Sequence, residues 1–261
     1  MLRFLLYGQR EMKINFTNYT REHWALVDGW NEHGAFTGLE ILDDVQNDNG
    51  IRGHVCEIGV HEGQFFFALA LLTDNDELYI AIDVFDNQHR NIDKSGKADL
   101  LRFKENTMRY VSDHDELNKN LLIIKTDSLR FTSEMLSVQI MSRGKDYYKG
   151  VRLMSIDAGH TRTHVLNDLK FAEKSLVDGG VVVLDDFLHP KWPGVTEGAH
   201  IYCSDPYSRL IPFAYGNKKL YLSTDIYAPM YLREFDNVVG RVHDSKKVEI
   251  WNRQMLWVDF R

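Results

Sequence analysis

An α/β fold built on a doubly wound, mostly parallel sheet is the architecture this sequence predicts, and three observations predict it. Short continuous apolar runs alternate with helix-period stretches from about residue 54 to 187, as in a parallel sheet covered on both faces. Five successive runs each carry an acid at or near the carboxyl end, the edge where such sheets bind ligands. The first run leads into the glycine-spaced turn Glu57-Ile58-Gly59-Val60-His61-Glu62-Gly63, and a helical pattern starts at Gln64. That sequence reads as strand, tight turn, helix, with backbone free to approach a ligand beside a helix N-terminus.

Residues 1–50 read as an N-terminal helical extension that packs on the core or supplies an oligomer contact. Arg21 to His33 fits an amphipathic helix with Trp24, Val27 and Trp30 near one face; Gly34 and Gly38 then break it, and Asp43 to Gly50 is polar and turn-like. Residues 51–261 form the main domain, with strand additions after about residue 200. His54 to Ile58 is the first strand and Gln64 to Leu72 the first helix. Leu78 to Asp83 is the second strand, followed by a helix over Ala98 to Val111. Leu121 to Asp127 is the third strand, and Ser128 to Ile140 suits a helix with Ser128 as its cap. Arg152 to Asp157 is the fourth strand. The next helix buries Val165, Leu169, Ala172 and Leu176 on one face, and Gly179-Gly180 closes it. Val181 to Asp186 is the fifth strand. Beyond residue 187 the rhythm changes. His189 to Gly194 reads as a loop, Leu210 to Ala214 and Lys219 to Ser223 as a hairpin, and Val248 to Trp251 with Met255 to Phe260 as a last strand pair.

The formal net charge of -7 argues against a general nucleic-acid binder, which needs a basic face for phosphates. The two cysteines, Cys56 and Cys203, suggest no disulfide framework, so a reducing cytoplasm fits. The run Phe4-Leu5-Leu6-Tyr7 is too short for a signal sequence, and no apolar stretch is long enough to span a membrane.

The acids carry the chemistry. The turn has the spacing E-x-G-x-x-x-G, not that of a dinucleotide fold, and the leading Glu57 suits a ligand with an amino group or hydroxyls. Asp83 can accept both hydroxyls of a ribose. Asp127-Ser128 suits an adenine amino group and ring nitrogens, or equally caps the next helix. Asp157, Asp185 and Asp186 end neighbouring strands, and three carboxylates at one mouth repel unless something positive neutralises them. A hard divalent cation is the simplest solution, because an all-oxygen set favours magnesium, calcium or manganese. Adjacent strand residues point to opposite faces, so Asp185 and Asp186 share an ion only where the strand has become loop. His160 leaves the fourth strand three residues after Asp157 and is the side chain suited to take a proton there. His61 and His189 rank as wall or lid residues. Trp192, between Pro190 and Pro193, reads as a packed loop residue in preference to an acceptor lid.

The turn from Glu57 to Gly63 resembles the nucleotide loop of class I S-adenosylmethionine-dependent methyltransferases, as do the five strand ends taken together. More narrowly, Ser155 to Thr161, Asp168-Leu169 and Gly179 to Phe187 resemble the metal-dependent sugar O-methyltransferases of macrolide biosynthesis, the macrocin and mycinamicin type. The resemblance spans roughly residues 54–190. It implies a Rossmann-like methyltransferase fold, with S-adenosyl-L-methionine held by Glu57, Gly59, Gly63 and Asp83. Val60, Asp127 and Ser128 join that set from their positions. It also implies Mg²⁺ on Asp157, Asp185 and Asp186, a general base at His160, and a homo-oligomer. The expected reaction is methylation of a hydroxyl on a sugar-like or other small acceptor, with no nucleic-acid or membrane partner. Two alternatives stand beside it: a metal-independent methyltransferase in which His160 acts alone, and a non-catalytic S-adenosylmethionine-binding subunit. A nicotinamide dehydrogenase lacks its second turn glycine here, and a metal-dependent hydrolase leaves the glycine turn and Asp83 unexplained.

Overall fold

The structure, a computed structural model, describes residues 14–74, 76–111, 119–144, 150–239 and 243–260. Its centre is one nine-stranded sheet in the order β3-β2-β1-β4-β5-β7-β6-β9-β8. The strands are β1 His54–Ile58, β2 Tyr79–Asp83, β3 Leu121–Lys125, β4 Val151–Ile156, β5 Leu176–Leu184, β6 Leu210–Gly216, β7 Lys219–Thr224, β8 Asp244–Ile250 and β9 Arg253–Asp259. β1 to β5 are parallel, and β7 returns antiparallel beside β5. The chain runs outward from β1 to β3 on one side and from β4 to β5 on the other. The crevice between the carboxyl ends of β1 and β4 is therefore the switch point where such sheets bind ligands.

Seven longer helices flank the sheet among the described residues: α1 Gly34–Asp48, α2 Gln64–Ala70, α3 Leu100–Tyr110, α4 Ser133–Ser142, α5 Arg162–Ser175, α6 Pro193–Ser204 and α7 Ala228–Val239. The strands alternate between two cores. Val55, Leu153, Val181 and Val183 face the layer of α1, α2, α3 and α7; Cys56, Ile58, Met154, Ile156, Val182 and Leu184 face the layer of α4, α5 and α6. This period of two on doubly buried strands explains why most positions in the runs read as apolar. No helix among the described residues is long and apolar enough to cross a membrane.

The N-terminal region departs from expectation. The helix expected over Arg21 to His33 stops at Leu26, after short turns at Tyr19–His23 and Trp24–Leu26. Gln64 takes the backbone that a longer helix would use: its Nε2 donates to Trp24 O (3.3 Å) and Val27 O (2.9 Å), and its Oε1 accepts from Asn31 N (3.0 Å). The long helix begins instead at Gly34 and runs through the stretch expected to be a turn, burying Phe36, Leu39 and Leu42. Its glycines are close-approach positions, not breaks: a Cβ on Gly34 would collide with the Phe260 carbonyl, and one on Gly38 with the Tyr221 hydroxyl. Tight packing against β7 and β9 outweighs the roughly 1 kcal/mol that a glycine costs a helix.

Three further boundaries moved. Ser128 begins a 3-10 turn capped by Asp127, Phe131 is extended and buried, and Thr132 caps α4. Leu176 is the first residue of β5, not the last buried position of α5. The loop expected after His189 turns at once into α6, with Pro193 in its first turn, where a missing N–H costs nothing. Helix α7, which buries Tyr231, Phe235 and Val239, was not expected. Both expected strand pairs formed, each around two residues with positive φ: Asn217-Lys218 and Trp251-Asn252, as two-residue hairpins favour.

Candidate active site

The crevice is a cavity of about 600 Å³, within the usual range for small-molecule sites. Its floor comes from β1. Glu57 is buried, and its Oε1 accepts from Ser155 Oγ at 2.9 Å. The other oxygen, Oε2, is buried without a hydrogen-bond partner and belongs to a residue of the cavity wall. Burial, and then the nearby Asp157, push the Glu57 carboxyl well above the usual carboxylate range. An acceptor held this way is suited to an amino or hydroxyl donor from a ligand.

Gly59 follows with φ of +89° and packs so closely on β4 that a Cβ would collide with the Asp157 carbonyl oxygen. Val60 is buried, and Gly63, at φ +99°, sets the start of α2. Asp83, at the end of β2, is organised by the same turn: Oδ2 accepts from His61 N (2.9 Å) and Oδ1 from Phe85 N (2.6 Å). Burial raises its carboxyl above the usual value against these backbone bonds. Asp127 and Ser128 line the same cavity.

β4 and β5 bring the remaining acids. β5 ends at Leu184, so Asp185 and Asp186 lie beyond the strand, and Asp186 adopts φ of 55°. The two turn to different partners. Asp185 Oδ2 meets the Lys219 ammonium at 2.8 Å, and its Oδ1 accepts from Asp186 N at 2.8 Å. Asp186 Oδ2 lies 3.1 Å from His160 Nε2, which is also 3.6 Å from Asp157 Oδ1. Ligand atoms of Asp157, His160 and Asp186 all fall within 4.8 Å of one another. Of this group the two carboxylates suit a hard divalent ion, and the imidazole beside them remains available for proton transfer. Asp185, expected to join these carboxylates, lines the same cavity with its oxygens on Lys219 and the Asp186 backbone N–H.

His160 is held on every side. Its Nδ1 and its backbone N both meet Asp93 Oδ2, at 2.8 and 2.7 Å, and its ring stacks on Trp192 with centroids 4.4 Å apart. Burial alone would lower the imidazole pKa, but hydrogen bonds to Asp157, Asp186 and Asp93 outweigh it and raise it to about 11. Burial and the neighbouring Asp185 raise Asp157 to about 6. Burial opposes charge on Asp185 too, yet Lys219 wins there and holds that carboxyl below the usual range.

The family described as a methyltransferase domain matches residues 56–187, half of the chain, from β1 to just past β5. The chain belongs to that family. It is an S-adenosylmethionine-dependent methyltransferase of class I, and the match covers the glycine turn and all five strand ends. Among solved structures, the methyltransferase is similar to the O-methyltransferase NovP, with a TM-score of 0.57 and 12% identity over 74% of this chain and 80% of that one. The calicheamicin methyltransferase CalS11 gives a TM-score of 0.51 and 17% identity over 80% and 82%. MycE of mycinamycin biosynthesis, solved with Mg, S-adenosylhomocysteine and mycinamycin VI, gives 0.48 and 14% over 82% and 55%. At these identities the likeness is one of fold. No curated protein sequence matches the chain.

Several residues in or behind the cavity wall carried no sequence signal of their own. Asp93 lies in the connection between β2 and α3, and nothing in its neighbours marks it as the partner of His160. Lys219 opens a strand 34 positions after Asp185. The segment Asp28 to Glu32 forms a wall of the cavity, with Trp30 against His61 at 5.0 Å between ring centroids. His61 and His189, expected as wall residues, do line the cavity.

Proposed function

We propose that this methyltransferase methylates a hydroxyl oxygen of a small, sugar-like or otherwise polyhydroxylated acceptor, with His160 as general base beside a hard divalent cation such as Mg²⁺. The observation that carries the reading is the placement of His160. Its Nε2 sits at the cavity mouth between Asp157 and Asp186, and its Nδ1 is fixed by Asp93. Glu57, Gly59, Val60, Gly63, Asp83, Asp127 and Ser128 are the proposed cofactor contacts. Of these, the unpartnered Glu57 Oε2 offers an acceptor for the cofactor's amino group. When bound, the cofactor supplies an electrophilic methyl on a sulfonium, and the cation lowers the pKa of a coordinated hydroxyl.

The chain's own residues do the rest. Asp93 keeps the proton on Nδ1, so Nε2 is the nitrogen that accepts the acceptor's hydroxyl proton. Trp192 fixes the ring plane. The cavity walls hold the hydroxyl oxygen for in-line attack, and such positioning supplies much of the rate. Asp157 and Asp186 are the carboxylates open to the ion. They are also what holds the resting imidazole protonated, so offsetting their charge frees His160 to act as a base.

Lys219 favours a second reading. The cluster already contains one cation at Asp185, and in a metal-independent enzyme Lys219 and His160 would carry all the positive charge. Calorimetric titration of S-adenosylmethionine and S-adenosylhomocysteine with Mg²⁺ or EDTA, followed by turnover on polyhydroxylated acceptors, separates the two. Turnover abolished by EDTA and restored by Mg²⁺ supports the first reading; turnover indifferent to EDTA supports the second. Cofactor binding with methyl transfer only to nitrogen or carbon acceptors defeats both. The free thiols Cys56 and Cys203 suit a reducing cytoplasm. Light scattering checks the homo-oligomer.

A further inference from the structure

Lys219 is set opposite Asp185 by strand register. β5 and β7 are antiparallel with Leu184 beside Leu220, so the next position outward on each strand brings Lys219 to Asp185. The side chain is 2% exposed. Its ammonium is 2.8 Å from Asp185 Oδ2 and 4.2 Å from the centroid of the Phe65 ring on α2, an arrangement that combines an ion pair with a cation–π contact. Asp185 Oδ1 accepts from the Asp186 backbone N–H, so each oxygen of Asp185 already has a partner, and its carboxylate also stands against Asp157. Asp186 turns the other way, toward His160 and Asp157. The adjacent aspartates both line the cavity but differ in partner: Asp185 is paired with a built-in cation, Asp186 with His160.

We propose that Lys219 is the resident cation of the acid cluster: it withdraws Asp185 from the groups open to a divalent ion and holds down the affinity of the site formed by Asp157 and Asp186. The inference rests on the cluster being a cation site, as proposed above. Like charges repel strongly across a buried gap, so a fixed ammonium beside the site weakens any ion that enters it. Such an ion is exchangeable, and Asp185 is a positioning residue that holds Lys219 in place.

The test reads binding of Mn²⁺ to the whole protein, by calorimetry and electron paramagnetic resonance, without turnover. Wild type is compared with Lys219→Met and with the charge-balanced double variant Asp185→Asn/Lys219→Met. Removing the ammonium alone is expected to tighten Mn²⁺ binding by about 10-fold or more, and the double variant to stay within about 3-fold of wild type. A double variant that loses about 10-fold or more makes Asp185 a ligand and overturns the proposal, as does an unchanged affinity in Lys219→Met. Binding to Lys219→Met but not to wild type upholds the role of Lys219 and removes the metal from the proposed function. Binding to no variant removes both. Lys219→Met leaves Asp185 buried and unpaired, so circular dichroism accompanies each titration. If that variant does not fold, the double variant, from which both charges are gone, decides the matter by the same threshold.

Discussion

Strand β4 carries buried charge at both ends, and the two clusters are built differently. At its start, Arg152 reaches Gln46 Oε1 and Leu72 O, both at 2.7 Å, and pairs with Asp43 at 2.9 Å and Glu77 at 3.4 Å. Glu77 is equally committed, accepting from Gly53 N and Asp74 N besides the guanidinium. Gln46 returns a bond to Arg152 O. This cluster ties α1 to β4 and to the connection before β2. At the other end of β4, Asp157 faces an imidazolium and another acid, and Glu57 leaves one oxygen without a partner. Two glutamates illustrate the contrast. Glu57 and Glu77 are both almost fully buried, but only Glu77 has partners on both oxygens. Asp43 Oδ1 has no hydrogen bond but still faces the guanidinium at 2.9 Å; buried acids set against a cation in this way hold a fold together, and one left without a partner at a cavity is prepared for a ligand.

The sharpest way to break this comparison is at its open end. His160→Ala should leave S-adenosylmethionine affinity within a few-fold of wild type and cut turnover about 10²–10⁴-fold, the range for a lost general base. A variant with full turnover removes His160 from the chemistry. At the closed end, Arg152→Met strands Asp43 and Glu77 and should cost about 3–5 kcal/mol of stability, read by denaturant melts, while turnover per folded molecule is kept. Loss of turnover without loss of stability would falsify the division into a structural and a functional cluster.

Glu57→Gln sharpens the contrast further. It should weaken cofactor binding by about 10–100-fold, the worth of a hydrogen bond to a charged group, yet leave the melting temperature unchanged or raised. A lowered melting temperature with unchanged affinity makes Glu57 structural. The smallest effect is in pH. The folded pKa of His160, about 11, lies above its ordinary 6.5, so the folded state binds the proton more tightly than the unfolded chain does. Its contribution to stability is full below about 6.5 and is lost as pH rises toward 11. The stability of wild type should therefore fall across that window more steeply than that of His160→Gln, as measured by urea melts at successive pH values.

How much of this was legible follows from what local pattern encodes. The five parallel strands were readable because doubly buried strands leave uninterrupted apolar runs, and their acids were placed at the ligand edge by chain direction alone. Helix α1 was misread because Gly34 and Gly38 look like breaks unless Phe260 and Tyr221, more than 180 residues away, are known to press against them. The early end of the first helical turns was hidden for the same reason, since Gln64 claims their carbonyls from across the fold. Helix α7 had the right period in Tyr231, Phe235 and Val239 and could have been found by counting.

The sequence by itself determined the α/β class, the glycine turn, and the acids and histidine at the strand ends, because each is a property of neighbours along the chain. Only the tertiary structure decided which charges meet. Asp93 came to His160 through the connection after β2. Trp192 came through the entry to α6. Lys219 came through an antiparallel return whose register puts it opposite Asp185. A carboxylate's partner is chosen by distance in space, and burial then decides how strongly that partner counts.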